Sequence, residues 1–254
     1  MSTKREERRR AELAERRARR RGERVPQSRR LPLLPLSLGA VALAVVGLIG
    51  FAILSAPPAV AEIDSPTVMA PADLTDGMAL GPAAAPLTIE IWSDYQCPAC
   101  GALVRQIEPL LVDQYIRPGQ VRLVYRDFAF LGQESIDAAV GARCAARSGL
   151  FWQFHDYLFA NQEGENRGAF NQPRLEAMAL AIGLDLSSFR ACQDDPTVAQ
   201  AVAAERSAGQ AVPVNSTPTL VVGDEPIVGV PAWDDLKATT ERKLAQVAGS
   251  APEG

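Results

Sequence analysis

The 254-residue chain contains a single histidine, His155, and only four cysteines. One histidine cannot build a histidine-rich metal cage, and with no second CxxC motif a structural zinc site lacks its four ligands. Aromatic residues make up only 6% of the chain, but 47% of the residues are hydrophobic and 22% are charged, which is ordinary globular composition. The cysteines are therefore the first candidates for chemistry, and we expect no metal and no other cofactor.

Positive charge is scarce outside the N-terminus. The first 30 residues hold 13 Lys and Arg against 5 Asp and Glu, a net of +8, so the formal charge of −4 leaves −12 for the rest of the chain. An acidic body argues against general nucleic-acid binding, because contacts to phosphates come from Lys and Arg. We therefore expect no nucleic-acid partner, and we interpret residues 1–30 as a basic cytoplasmic tail.

A long uncharged segment follows this tail. No charged residue lies between Leu31 and Ala61, and the stretch Leu36 to Leu54 is almost entirely apolar. About 20 such residues cross a hydrocarbon core of ~30 Å, whereas the apolar part of a cleaved signal peptide usually has about 7 to 15 residues. Residues 31–56 are thus predicted to be a single transmembrane anchor, with the N-terminus in the cytoplasm and the rest of the chain outside. Cleavage after Ala61 is the alternative, since small residues precede it.

The remaining chain is predicted to be a tether followed by one folded domain. Residues 57–85 are rich in Pro and Ala and are interpreted as flexible, and the domain is predicted over residues 86–250. Residue types and turn signals predict strands over residues 87–92, 121–128, 219–222 and 227–230. Between the second and third strands, Ala-rich stretches with breaks predict four or five short helices over about 131–211, and a closing helix is predicted over 232–247.

Cys97 and Cys100 form a CxxC motif directly after the first of these strands. Pro98 suits the first turn of a helix, so the motif is placed at a helix N-terminus. The free N–H groups and the helix dipole favour a thiolate there, and they lower a cysteine pKa from about 8.5 into the range of about 3.5 to 7.5. Cys97 is therefore the expected nucleophile and Cys100, one turn deeper, the resolving thiol. The intervening Pro98 and Ala99 are expected to tune the redox potential.

Three segments resemble the DsbA-type thiol:disulfide oxidoreductases: SDYQCPAC at Ser93–Cys100, FWQFHDYLF at Phe151–Phe159 and STPTLVV at Ser216–Val222. The resemblance implies an α/β thioredoxin fold with a helical insertion between its βαβ and ββα halves, here preceded by the predicted transmembrane helix. It also implies a cis-proline at Pro218, beside the CxxC motif. The residue before it, Thr217, would contact both the thiolate and a bound peptide.

The chain departs from the family pattern at two places. Family members often carry a buried acid six residues before the first cysteine, but Ile91 stands there, and the adjacent Glu90 faces the other side of the strand. We therefore do not expect Glu90 to handle protons. The motif also lacks a histidine between its cysteines, so we expect a less oxidising potential than that of the most extreme family members.

Cys144 and Cys192 both fall in the predicted insertion. An even cysteine count outside the cell favours a structural disulfide between them. Two alternatives remain, a free buried thiol and a second redox pair that passes electrons to Cys97.

These features favour a membrane-tethered oxidoreductase that donates the Cys97–Cys100 disulfide to thiols of exported proteins. A DsbB or vitamin K epoxide reductase homologue in the membrane would reoxidise it. One alternative is a reductase in cytochrome or metal-site maturation. Another is a non-enzymatic copper chaperone that uses Cys97, Cys100 and His155, because soft thiolates suit copper. His155, however, lies in an apolar and aromatic helix stretch, where a packing role is expected.

Overall fold

The structure is a computed structural model, and it describes residues 3–22, 45–47, 61–211 and 214–250. The chain divides into two compact units, Met1–Pro58 and Ala59–Gly254. The first contains helix α1 (Thr3–Arg20), whose charged side chains are mostly exposed. The anchor predicted at 31–56 lies outside the described residues except for 45–47. Among the helices within the described ranges, none has the length and apolar character needed to cross a membrane.

The second unit is built on a six-stranded sheet. Its strands are β1 (Thr75–Asp76), β2 (Ala79–Leu80), β3 (Leu87–Ser93), β4 (Val121–Asp127), β5 (Thr219–Val222) and β6 (Glu225–Val228). They are arranged in the order β1-β2-β4-β3-β5-β6. The central strands β3 and β4 are parallel, and all other neighbours are antiparallel. This order combines the βαβ and ββα halves that the resemblance implies.

Eight helices of this unit complete the described fold. They are α2 (Pro98–Gln106), α3 (Glu108–Leu111), α4 (Gln133–Ala146), α5 (Phe151–Ala160), α6 (Gln172–Ala181), α7 (Leu186–Gln193), α8 (Pro196–Ala211) and α9 (Trp233–Ser250). Helices α2 and α3 are separated at Ile107, because Pro109 has no N–H to continue the helical bonding. Helices α4 to α8 form the predicted insertion between the two halves, and α9 packs on β3 and β5.

The two faces of the central strands differ in character. On one face Ile91 of β3 lies beside Tyr125 of β4, and both are buried in the main core. On the other face Glu90 accepts a 2.6 Å hydrogen bond from Arg126. This alternation follows from the two-residue period of a strand, and it turns Glu90 away from the face of Ile91, as predicted.

Helix α8 of the insertion covers the polar face of the sheet. A Cβ atom at Gly209 would lie 2.7 Å from the Trp92 ring, so only glycine permits this close packing. Glu205 of the same helix pairs with Arg126 of β4 at 3.1 Å and with Arg143 of α4. The pair with Arg126 ties the insertion to the sheet, and the pair with Arg143 joins two helices of the insertion.

Residues 61–85 are not a free tether, so that part of the prediction was wrong. Strand β2 pairs with β4, with Leu80 opposite Leu123, and Leu74 and Met78 pack against the core. The backbone N–H of Asp64 also donates to Asn161 of the loop after α5, at 2.8 Å. Main-chain pairing needs no large side chains, and for this reason a Pro- and Ala-rich composition did not reveal it. The rest of the predicted tether, 57–60, lies outside the described residues.

The last strand was predicted at 227–230 and lies two residues earlier, at Glu225–Val228. The tight turn at Gly223 and Asp224 aligns Val222 with Glu225, so pairing starts at once. Pro226 lies within this strand, although proline has no N–H to donate. On the edge of the sheet, however, a missing donor can face solvent.

Within the insertion, the sulfurs of Cys144 in α4 and Cys192 in α7 lie 2.01 Å apart, in a disulfide. Both residues are buried. The bond joins two helices across 48 positions of sequence. It therefore closes most of the insertion into a loop.

Replacing both cysteines, Cys144→Ser and Cys192→Ser, should lower the free energy of unfolding by about 2 to 4 kcal/mol, because the denatured chain regains the freedom of that loop. Urea denaturation of the wild-type and double-variant proteins measures the difference. Disulfide-exchange activity at a temperature where both stay folded should be unchanged. A loss of activity there would instead indicate a second redox pair.

Candidate active site

Cys97 caps the N-terminus of helix α2, and Pro98 is the first helical residue. Because proline lacks an N–H, the first free amides of the helix belong to Ala99 and Cys100, and both lower the pKa of the Cys97 thiol. Cys97 is 8% exposed, whereas Cys100, one turn into the helix, is 0% exposed. Both are free thiols in this structure. An incoming sulfur can therefore reach Cys97 but not Cys100.

The two thiols have opposite pKa shifts. The pKa of Cys97 falls from 9.0 to about 6, chiefly because the Cys100 side chain hydrogen-bonds to its sulfur. The Thr217 side chain and the two helix amides lower this pKa further, against a smaller opposing effect of burial. Burial is the main cause that raises the pKa of Cys100, and the neighbouring Cys97 raises it as well. Near neutral pH, Cys97 is accordingly the thiolate and Cys100 stays protonated.

The loop before β5 lies against this thiol. The peptide bond between Thr217 and Pro218 is cis, and the Cys97 thiol donates to the Thr217 carbonyl at 3.4 Å. The Thr217 hydroxyl is buried. The structure thus brings Cys97, Cys100, Thr217 and Pro218 together.

A buried carboxylate holds the turn that leads into the motif. Asp94 is 1% exposed, and its Oδ1 accepts from the Gln96 backbone at 2.8 Å and from the Ser135 hydroxyl at 2.6 Å. Its Oδ2 accepts the backbone N–H groups of Phe130 and Leu131 at 2.8 and 3.1 Å. Asp94 therefore fixes the turn to the segment that begins the insertion.

A second contact comes from Gln162, just after α5. Its amide donates to the carbonyl of Tyr95 at 2.6 Å and to that of Cys97 at 3.1 Å. A Cβ at Gly101 would lie 2.1 Å from the Gln162 side-chain oxygen, so glycine leaves the space this amide occupies. The insertion thus contacts the catalytic loop through hydrogen bonds to its main chain.

Sequence reasoning did not identify Asp94, Ser135 or Gln162 as parts of the site. Their contacts join positions 36 to 67 residues apart, and no local pattern marks such pairs. The sequence offered one indication of these contacts, the polar residues that lie between β3 and the CxxC motif.

His155 is buried, as expected of a packing residue, and its ring lies 4.9 Å from those of Trp152 and Phe159. Among the described residues, the one group of three potential metal ligands that lie close together is Glu108, His155 and Asp156. Neither Cys97 nor Cys100 belongs to it. The structure therefore does not assemble the copper site considered from the sequence.

The low pKa of Cys97 predicts its reactivity. In the reduced protein, alkylation of Cys97 by iodoacetamide should rise with pH around a midpoint near 6, where an ordinary thiol has its midpoint near 9. Because this pKa is lower in the folded chain, the thiolate stabilises the reduced fold at high pH, and this contribution is lost as the pH falls through 6.

Two variants at position 100 separate the causes. Cys100→Ala removes the hydrogen bond to the Cys97 sulfur and should move the midpoint upward. Cys100→Ser keeps a donor there and should move it less. An unchanged midpoint in Cys100→Ala would show that the helix amides and Thr217 are sufficient.

Comparison with known proteins agrees with this geometry. Disulfide bond formation protein D of Bacillus subtilis is 27% identical over 168 residues, which are 65% of this chain and 76% of that protein. The Na(+)/H(+) antiporter NhaA 3 of Salinispora tropica is 34% identical over 157 residues, 61% of this chain, but the match spans only 23% of the antiporter. The likeness to the antiporter therefore concerns a minor part of that protein.

Solved structures share the fold. Oxidised BdbD from Bacillus subtilis superimposes with a TM-score of 0.62 at 25% identity, over 72% of this chain and 99% of that one. The thiol-disulfide exchange protein α-DsbA2 from Wolbachia pipientis gives a TM-score of 0.57 at 23% identity, over 65% and 85%, and shows the fold alone. Residues 73–242 match the family model Thioredoxin_4, described as thioredoxin. The protein is thus a DsbA-like protein-disulfide oxidoreductase, and the chain belongs to the Thioredoxin_4 family.

Proposed function

We propose that this oxidoreductase works as an oxidase, which donates a Cys97–Cys100 disulfide to thiols of exported proteins. The observation that carries the proposal is the contrast between the two thiols. Cys97 is accessible and has a pKa of about 6, whereas Cys100 is buried and has a raised pKa. A stabilised thiolate is a good leaving group and favours the reduced form of the enzyme. Such an enzyme gives up its disulfide readily.

The transfer takes two exchanges. A client thiolate attacks Cys97 Sγ of the enzyme disulfide, which forms a mixed disulfide and releases Cys100 as a thiolate. Cys100 then takes up a proton, because burial raises its pKa. A second client thiolate attacks the client sulfur of the mixed disulfide and expels Cys97 as the stabilised thiolate. The client gains a disulfide, and the enzyme is left as a dithiol.

The loop at Thr217 and Pro218 is proposed to hold the client. The Thr217 carbonyl lies 3.4 Å from the one sulfur that a client can reach. A peptide laid beside this loop would place its cysteine against Cys97. In this proposal Pro98 and Ala99 tune the reduction potential. Because Pro98 has no N–H, the next two amides of the helix are the ones that act on the Cys97 sulfur.

Export and reoxidation complete the proposal. The +8 charge of residues 1–30 and the uncharged stretch after it support a cytoplasmic N-terminus and an extracytoplasmic catalytic unit. Residues 31–56 are proposed as the anchor, with cleavage after Ala61 as the alternative. A membrane reoxidase of the DsbB or vitamin K epoxide reductase homologue type would return the dithiol to the disulfide.

The function is tested with a reduced peptide that carries two cysteines. Metal-free, oxidised wild-type protein should convert it to the disulfide, and Cys97→Ser should abolish the reaction because the accessible sulfur is gone. Cys100→Ser, mixed with the oxidised disulfide form of the same peptide, should instead accumulate a mixed disulfide through Cys97 and release one peptide thiol, which mass spectrometry detects. Lack of turnover by the wild-type protein would defeat the oxidase proposal.

The direction of transfer is tested by the reduction potential against glutathione. The pKa of Cys97, about 6, lies between the value of about 3.5 for DsbA and about 7 for thioredoxin. The potential should therefore fall between about −120 mV and about −270 mV. A reduction potential of about −270 mV or below would favour the reductase. A reduction potential as high as about −120 mV would contradict the tuning by Pro98 and Ala99.

A further inference from the structure

A cavity of about 630 Å³ lies away from the catalytic cysteines, neither of which lines it. One wall is the segment Asp64–Pro71, which was predicted to be a free tether. The others are the end of α2, helix α3 with the turn after it, and the end of α5. The wall formed by Asp64–Pro71 is held in place by hydrogen bonds to α5 and to the loop that follows it.

Three buried side chains meet at this cavity. One potential ligand atom each from Glu108, His155 and Asp156 lies within 4.8 Å of the other two. Glu108 and Asp156 line the cavity directly. His155 and Asp156 are neighbours on α5, and Glu108 comes from α3, so the cluster joins two elements 47 positions apart.

The Asp156 carboxylate has the orientation that is typical of a metal ligand. Its Oδ2 accepts the backbone N–H of Ala70 at 2.7 Å, which leaves Oδ1 directed to His155 Nδ1 at 3.1 Å. A fixed hydrogen bond on the second oxygen is the usual support of a metal-binding carboxylate. Two potential donor atoms therefore lie side by side before any ion is present.

Glu108 is the unexplained member of the cluster. It is 6% exposed, and its carboxylate makes no side-chain hydrogen bond or ion pair in the described part of the chain. Burial raises its pKa to about 7. Buried carboxylates are otherwise paired or coordinate a metal ion, and Glu108 faces two potential metal ligands in place of a cation.

We propose that Glu108, His155 and Asp156 bind one divalent transition-metal ion, of which Zn²⁺ is the representative. One imidazole nitrogen and two carboxylate oxygens are ligands that zinc accepts in sites with three protein ligands. Calcium takes six to eight oxygens, and magnesium keeps mostly oxygen and water, so the histidine disfavours both. The fourth position of the ion would face the cavity and is open to water or to a small anionic ligand.

The binding experiment uses the full chain in its oxidised, chelator-treated form, so that Cys97 and Cys100 cannot bind the metal. Calorimetric titration with ZnCl₂ should give one ion per chain. Glu108→Gln keeps the shape of the side chain and removes its charge, and it should weaken binding by more than about tenfold. Asp113→Asn is the matched control, because Asp113 lines the same cavity, is exposed and is not part of the cluster. Its affinity should equal that of the wild type.

X-ray absorption at the zinc edge of the loaded wild-type protein provides a test without a variant. The spectrum should show nitrogen and oxygen ligands that include one imidazole, and no sulfur. The proposal is overturned by absence of binding to the wild type, by equal affinity of Glu108→Gln, by equal loss in Asp113→Asn, by sulfur ligation, or by preference for Ca²⁺ or Mg²⁺.

Discussion

The negative charge on the Cys97 sulfur is the interaction on which the rest of the site depends. A thiolate that is only 8% exposed loses most of its water and must be stabilised by protein donors. The first two amides of α2 and the side chains of Cys100 and Thr217 all lower the pKa of this sulfur. All four act on one atom. The positions of Pro98, of the cis-proline loop and of the buried second thiol follow from that requirement.

Donors stabilise a charge only where their positions are fixed, and the insertion contributes to this. Asp94 accepts one hydrogen bond within the turn before Cys97 and three from the start of the insertion. Gln162 donates to the main chain of Tyr95 and Cys97. The ion pair of Arg143 with Asp127 connects α4 to the sheet, and that of Arg143 with Glu205 connects α4 to α8. The thioredoxin core and the insertion therefore form one mechanical unit around the sulfur.

The sequence predicted what local patterns encode and missed what distant contacts decide. The strand before the motif, the helix that starts at Pro98 and the break at Pro109 follow from residue type and spacing. Strand β2 escaped prediction because its pairing with β4 uses main-chain groups, which composition does not reveal. Strand β6 begins two residues earlier than predicted, because the turn at Gly223 and Asp224 pairs Val222 with Glu225 at once. Glu108 and Asp156 could not be connected, since α3 and α5 meet only in the folded chain.

The two edges of the sheet have a consequence for a protein-disulfide oxidoreductase whose clients include extended chains, as proposed. Exposed edges invite extended segments to add as further strands. Here one edge strand, β1, has two residues, and the other, β6, carries Pro226, which cannot donate to a new partner. Beyond the loop at Thr217 and Pro218, such a client would therefore find little backbone to pair with, so it could leave as soon as its second sulfur has reacted.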